Sequence, residues 1–124
     1  MENNINTYDV DTLNNIKEEA ILAAKQAVEN YLTKWNKMTG GNSYGEPIYC
    51  GFAYTKIYNI KGNTKLGRAM KAAGFKKDYT GNYLIWNPAN YHGQSMDVKE
   101  AGANAYSEVF TKYGFDAHTN VRAD

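Results

Sequence analysis

The chain has one cysteine, Cys50, in 124 residues, which excludes an internal disulfide and a cysteine-rich zinc site and suits a reducing cytoplasm. No apolar run approaches the roughly 20 residues of a membrane-spanning helix. The opening Met1-Glu2-Asn3-Asn4 lacks the basic-then-apolar pattern of a signal peptide, so no export is expected. Charge of one sign is not in excess, and a formal net charge of +1 argues against a chain that is basic all over. The two histidines, His92 and His118, lack metal-ligand spacing with any carboxylate cluster, so neither metal nor cofactor is implied. What remains is an intracellular chain without a membrane partner, of a length that fits one domain with a real core.

Against those absences stand 11 tyrosines and 11 glycines. Tyrosine is amphipathic and common at binding surfaces, although packing in a strand-rich fold accounts for it equally well. The stretch Trp86 to Phe115 organises the rest. It reads as a strand end, a polar turn, an amphipathic helix from Met96 to Tyr113, and a stop at Gly114-Phe115. Ser95 is a good N-cap, and Asp97 and Glu100 favour the positive end of the helix dipole. Val98, Ala101, Gly102, Ala105 and Val109 follow helical spacing, with Phe110 and Tyr113 alongside. A mid-helix glycine costs about 1 kcal/mol against alanine, so Gly102 predicts a close backbone neighbour. Gly114 supplies a left-handed C′ position and Phe115 folds back on Phe110. The same ending follows Lys65–Ala73, where Gly74-Phe75 returns toward Met70.

Residues 1–8 are polar and expected to fray. Asp9 or Asp11 caps a long helix over 9–38, with Gly40-Gly41 as its stop. Leu13, Ile16, Ala20, Ala24, Ala27, Tyr31, Trp35 and Met38 form its apolar stripe, widened by Ile21, Val28 and Leu32. Such a helix is about 40 Å long, longer than a compact domain of this size needs, so either it wraps its own sheet or part of it meets a second copy, and the homodimer contact is the favoured reading. The best strand is Ile48 to Ile60, with Cys50, Phe52, Tyr54 and Tyr58 on one face and Gly51, Ala53, Thr55 and Ile57 on the other, where a helix fits. Phe75–Tyr79 and Tyr83–Trp86 read as a hairpin around Thr80-Gly81-Asn82, and Phe115–Val121 offers a last strand. The expected architecture is therefore α+β: one domain over 9–124, with the long helix followed at 48–124 by a ferredoxin-like β-α-β-β-α-β unit and an antiparallel sheet.

The main functional signal is where the charges lie. From Lys56 to Lys77 the chain has seven basic residues (Lys56, Lys61, Lys65, Arg68, Lys71, Lys76, Lys77) and no acid, whereas the first 20 residues hold five acids and only Lys17. A basic segment flanked by tyrosines suits the phosphates of nucleic acid or a nucleotide, or an acidic protein surface. The plain alternative is a solvated lysine face. Gly62-Asn63-Thr64-Lys65 joins strand to helix, where backbone amides hold anions, but it carries neither the P-loop nor the dinucleotide glycine pattern and serves equally as a turn and cap.

Other motifs favour structure over chemistry. Ile48–Ala53 resembles the first-strand motif of RNA-recognition domains, whose aromatics stack on bases. Its partner on the third strand is missing, because Tyr83 and Trp86 are three apart and point to opposite faces, so core packing is the better reading. His92, Ser95 and Asp97 sit too close along the chain for a hydrolytic triad, and capping explains them. No catalytic residue is assigned. Arg122 and Asp124 fit a local ion pair or a phosphate contact equally.

Cys50-Gly51-Phe52-Ala53, Asn63 to Gly67, Trp86-Asn87-Pro88, Gln94 to Ala103 and Arg122-Ala123-Asp124 together make the chain resemble a group of small tailed-bacteriophage proteins. The resemblance covers roughly residues 48–124 and carries over no functional residue. It implies a phage accessory protein acting in the bacterial host cytoplasm. Three functions are expected from these readings. The first is non-enzymatic binding of nucleic acid, or of a host protein that handles it, through the basic segment, with counter-defence of the anti-CRISPR type as an instance. The second is a small-ligand or nucleotide site, a sponge or weak enzyme, in a dimer cleft near Tyr54, Trp86, His92 and Arg122. The third is an assembly role with the long helix as interface.

Overall fold

A computed structural model of the chain describes residues 4–39, 47 and 49–124. The architecture is α+β, with helices α1 (Val10–Met38), α2 (Lys65–Ala72) and α3 (Met96–Lys112) and strands β1 (Gly51–Tyr58), β2 (Tyr83–Trp86) and β3 (Asp116–Ala123). The three strands form one antiparallel sheet in the order β2-β1-β3. The Gly40-Gly41 stop, most of the connection to Pro47, and Ile48 lie outside the described residues.

α1 begins at Asp9, whose carboxylate accepts from the Thr12 N–H at 2.8 Å. Leu13, Ile16, Ala20, Ala24 and Val28 are its buried stripe. Beyond Val28 nothing on the helix is fully buried: Tyr31 and Leu32 pack at the edge of the core, and Met38 is 76% exposed. Of residues 1–8, residues 1–3 lie outside the described residues. Ile5–Thr7 make one 3-10 turn, and the Tyr8 hydroxyl donates to the Tyr113 carbonyl at 2.7 Å while its ring meets Phe115 at 5.8 Å.

α3 is held between two partners, lying across β1 and β3 on one side and packing along α1 on the other. Gly102 marks a close approach, since a Cβ there would stand 2.8 Å from the Ala89 Cβ and 3.2 Å from Val28 Cγ2. On the sheet side, hydroxyls set the seating: Thr55 Oγ1 lies 2.8 Å from Ser107 Oγ, which lies 2.8 Å from Thr119 Oγ1. Both glycine-phenylalanine stops form. Gly114 (φ +98°) lets the Phe115 N–H reach the Phe110 carbonyl at 3.0 Å, and Gly74 (φ +93°) lets the Phe75 N–H reach that of Met70 at 3.0 Å. Phe110 then contacts both stop residues, at 5.2 Å to Phe115 and 5.8 Å to Phe75. One aromatic cluster thus joins the two helix ends.

The sheet has three strands rather than the expected four. Phe75–Tyr79 forms no strand and pairs with β2 only through a bridge between Lys77 and Tyr83. The reason is local. Phe75 is committed to the core as the stop of α2, and the Asp78 carboxylate takes the Thr80 and Asn82 amides that would otherwise join a hairpin ladder. β1 is also shorter than expected, but its faces are as read: Gly51, Ala53, Thr55 and Ile57 are buried beneath α3, and Phe52, Tyr54, Lys56 and Tyr58 turn the other way. No described helix is long and apolar enough to cross a membrane.

Candidate functional site

Two surfaces gather the residues singled out in the sequence. The first is built on α2. Thr64 caps this helix through a hydrogen bond from the Gly67 N–H at 3.0 Å, and Leu66, Ala69 and Met70 bury its inner face. That fixes Lys65, Arg68 and Lys71 on the outside, all exposed. The chain then turns at Gly74, so that Lys76 and Lys77 come back beside Lys71. The three lysines line a cleft of about 610 Å³ with Gly62, Phe75 and Tyr83. Lys77 is pre-positioned there, with Nζ donating to the Ile60 carbonyl at 3.3 Å and lying 5.3 Å from the Tyr83 ring centre. The Arg68 guanidinium donates to the Asn63 carbonyl at 2.9 Å, which holds it over the turn. Opposite charge borders this surface: the Asp9 carboxyl is held below its usual range by hydrogen bonds from Thr12 and, to a smaller extent, by the Lys65 ammonium.

Lys56 does not belong to that group. It projects from the far side of the sheet and pairs with Asp78 at 3.0 Å, which raises its pKa. Asp78 in turn accepts from the Thr80 hydroxyl, the Thr80 N–H and the Asn82 N–H. Those donors, the hydroxyl foremost, bring its carboxyl down to about 2. Lys61 is exposed in the loop leading to α2.

The second surface is the side of the sheet that α3 leaves open. Register places Tyr54 opposite Trp86 on β2 and opposite Asn120 on β3, with Phe52 opposite Arg122. Trp86 stacks on Tyr54 at 5.5 Å with planes 12° apart, and touches Phe52 at 5.2 Å. Arg122 stands 5.9 Å from the Phe52 ring centre. The Lys99 ammonium, buried and donating to the Gly51 carbonyl at 3.0 Å, lies 4.9 Å from the same ring centre. At the far end, His118 contacts Tyr58 edge-on and pairs with Asp116 at 2.6 Å. Trp86 is 47% exposed, and among the described residues no helix packs on this face.

Of the residues expected to share a ligand cleft, the structure brings together Tyr54, Trp86 and Arg122, and leaves His92 elsewhere, exposed in a hollow beside Lys25 and Glu29 of α1. Phe52 and Tyr54, read as core packing, lie half-buried on the open face instead. Tyr83 and Trp86 do point to opposite sides, yet Trp86 reaches Phe52 and Tyr54 across the β1–β2 pair. Phe52 was in view as a strand aromatic; Lys99 was not, because a lysine in the first turn of a helix gives no sign that it will be buried. Ser95 acts as the cap of α3, with Oγ accepting from the Val98 N–H at 3.3 Å. Among the described residues no group of histidine, cysteine and carboxylate side chains is placed to hold a metal ion. No family model, curated protein or solved structure matches the chain.

Proposed function

We propose that the chain is a non-enzymatic binding protein that contacts the phosphates of nucleic acid through the surface built on α2. The observation that carries this reading is the convergence of Lys71, Lys76 and Lys77 on one cleft floored by Phe75 and Tyr83, with Lys65 and Arg68 exposed on the adjoining helix face. Fixed cations beside an apolar floor suit a polyanion better than a solvated lysine face does, because Lys77 and Arg68 are already held by carbonyls and lose little freedom on binding. The wider arrangement is read as a ferredoxin-like unit whose outer edge strand is reduced to the Lys77–Tyr83 bridge. If the chain is phage-encoded, as its resemblance implies, counter-defence by occupying a nucleic acid or its binding site is an instance of the same activity.

Binding of labelled single- and double-stranded oligonucleotides over a range of salt tests the reading. Affinity for single strands is expected to fall with a log–log slope of about −0.7 per phosphate neutralised. Reversing Lys65, Arg68 and Lys71 to glutamate removes roughly 2 from that slope and most of the affinity. Unchanged binding by the reversed protein, or no binding at low salt, refutes it.

The end of α1 supports a second reading, a weak homodimer contact. Trp35 and Met38 continue the apolar stripe past the last buried position at Val28, and sedimentation velocity reads such association directly.

A further inference from the structure

We propose that the open face of the sheet is a base-stacking surface for single-stranded nucleic acid, with Trp86, Tyr54 and Phe52 as the platform. This rests on the nucleic-acid reading and names the class of strand. Two rings, Phe52 and Tyr54, each in contact with Trp86 on a sheet face that no described helix covers, are unusual for a water-facing surface. Their arrangement is specific. Phe52 and Tyr54 stand two apart on the central strand, and Trp86 joins them from the edge strand with nearly half its surface in water.

Charge decides what kind of partner fits. At the Phe52 end stand the exposed Arg122 and the buried Lys99, and among the described residues no carboxylate pairs with either. Lys99 is spent on the Gly51 carbonyl and on the Phe52 ring, so it fixes the ring. Arg122 is the cation left for a phosphate. At the opposite end the carboxylates are occupied, Asp78 by Lys56 and Asp116 by His118. The face is therefore aromatic in the middle and cationic at one end, with its carboxylates paired to Lys56 and His118 at the other. A strand with its bases on the rings and a phosphate at Arg122 matches that layout. A duplex does not, because its base faces are already stacked and only its backbone is presented.

The rings have no polar edge code, so the surface accepts DNA and RNA without strong sequence preference. Combined with the cations of α2, it separates two contributions: phosphate attraction common to all nucleic acids, and stacking confined to single strands.

The test uses the full chain carrying Trp35→Phe, which leaves Trp86 as the one tryptophan emitter. Titration with a short oligothymidine is expected to quench Trp86 saturably, and a duplex of equal charge is expected to leave it unquenched. Trp86→Ala, checked for folding by its thermal unfolding, is expected to weaken single-strand binding about tenfold or more and to leave duplex binding unchanged. Unquenched Trp86 together with equal binding by Trp86→Ala overturns the stacking surface. If the reversed Lys65, Arg68 and Lys71 protein still loses binding in that case, the phosphate reading stands alone. If neither single strand nor duplex binds the unaltered protein at low salt, both readings fall.

Discussion

Asp78 shows how one side chain fixes a surface and a turn together. Its carboxylate closes the Thr80-Gly81-Asn82 turn by accepting from Thr80 and Asn82, and holds Lys56 flat against the sheet. The Thr80 hydroxyl, Lys56 and two amides stabilise the charged form, so the folded carboxyl titrates at about 2, against an ordinary 3.8. A depressed carboxyl contributes stability that is fully present above the unfolded pKa and is lost as pH falls through the folded one. The window is therefore about pH 4 down to about pH 2. Asp78→Asn is expected to be less stable than the unaltered protein at neutral pH, with the difference closing across that window. Chemical denaturation at several pH values, beside an NMR titration of the Asp78 carboxyl, checks both halves. A carboxyl midpoint near 4 overturns the account. Lys56, counted in the sequence with the other basic residues, is thereby removed from them. Its partner lies 22 positions away, and no local pattern announces the pair.

At the scale of the element, α3 was the most legible part of the chain. Its cap at Ser95, its stop at Gly114-Phe115 and the demand for a neighbour at Gly102 are local chemistry, and each is present. What composition did not reveal was the identity of that neighbour, which comes from two places: Val28 on α1 and Ala89 in the loop after β2. This makes Gly102→Ala a sharp test. Helix propensity alone favours alanine by about 1 kcal/mol, whereas forcing a methyl into a filled contact costs about 1–3 kcal/mol. Since the nearest atom is a Cβ at 2.8 Å, with no flexible tip to move aside, overpacking wins. A net loss of roughly 1 kcal/mol is expected in urea unfolding. Adding Ala89→Gly removes the obstructing methyl, so the double variant recovers part of the loss as a positive coupling. Additive effects of the two changes are incompatible with this contact. The strands were less legible than the helices. The faces of β1 follow from alternation, but the meeting of Phe52, Tyr54 and Trp86 depends on the β1–β2 register, a long-range property. The absent fourth strand has a local origin instead, because Phe75 satisfies both a strand pattern and a helix stop, and the stop prevails.

The whole molecule is a sheet, then α3, then α1, and the question at this scale is whether α1 is finished by its own domain. From Leu13 to Val28 it is, since every third or fourth residue is buried against α3, α2 and the chain beyond. Tyr31 still sits close enough to α3 for Asp97 and Glu100 to add to the burial that raises its pKa. The remainder, 33–38, is about 9 Å of helix roughly 10 Å wide. Even with Trp35 and Met38 wholly covered, that offers a few hundred Å² at most, against about 800 Å² per partner in a stable interface. The apolar stripe at this end therefore supports weak self-association and falls short of an obligate dimer. Sedimentation velocity is expected to show a monomer at about 10 μM, with dimer growing in only near or above 100 μM, the range that so small a contact area reaches. Met38→Glu is expected to abolish the association while leaving thermal unfolding unchanged, because Met38 is 76% exposed and outside the buried core. A stable dimer at 1 μM, insensitive to Met38→Glu, would place the interface elsewhere, and the open sheet face with Trp86 at its edge would be the first surface to examine, in direct competition with its proposed stacking role.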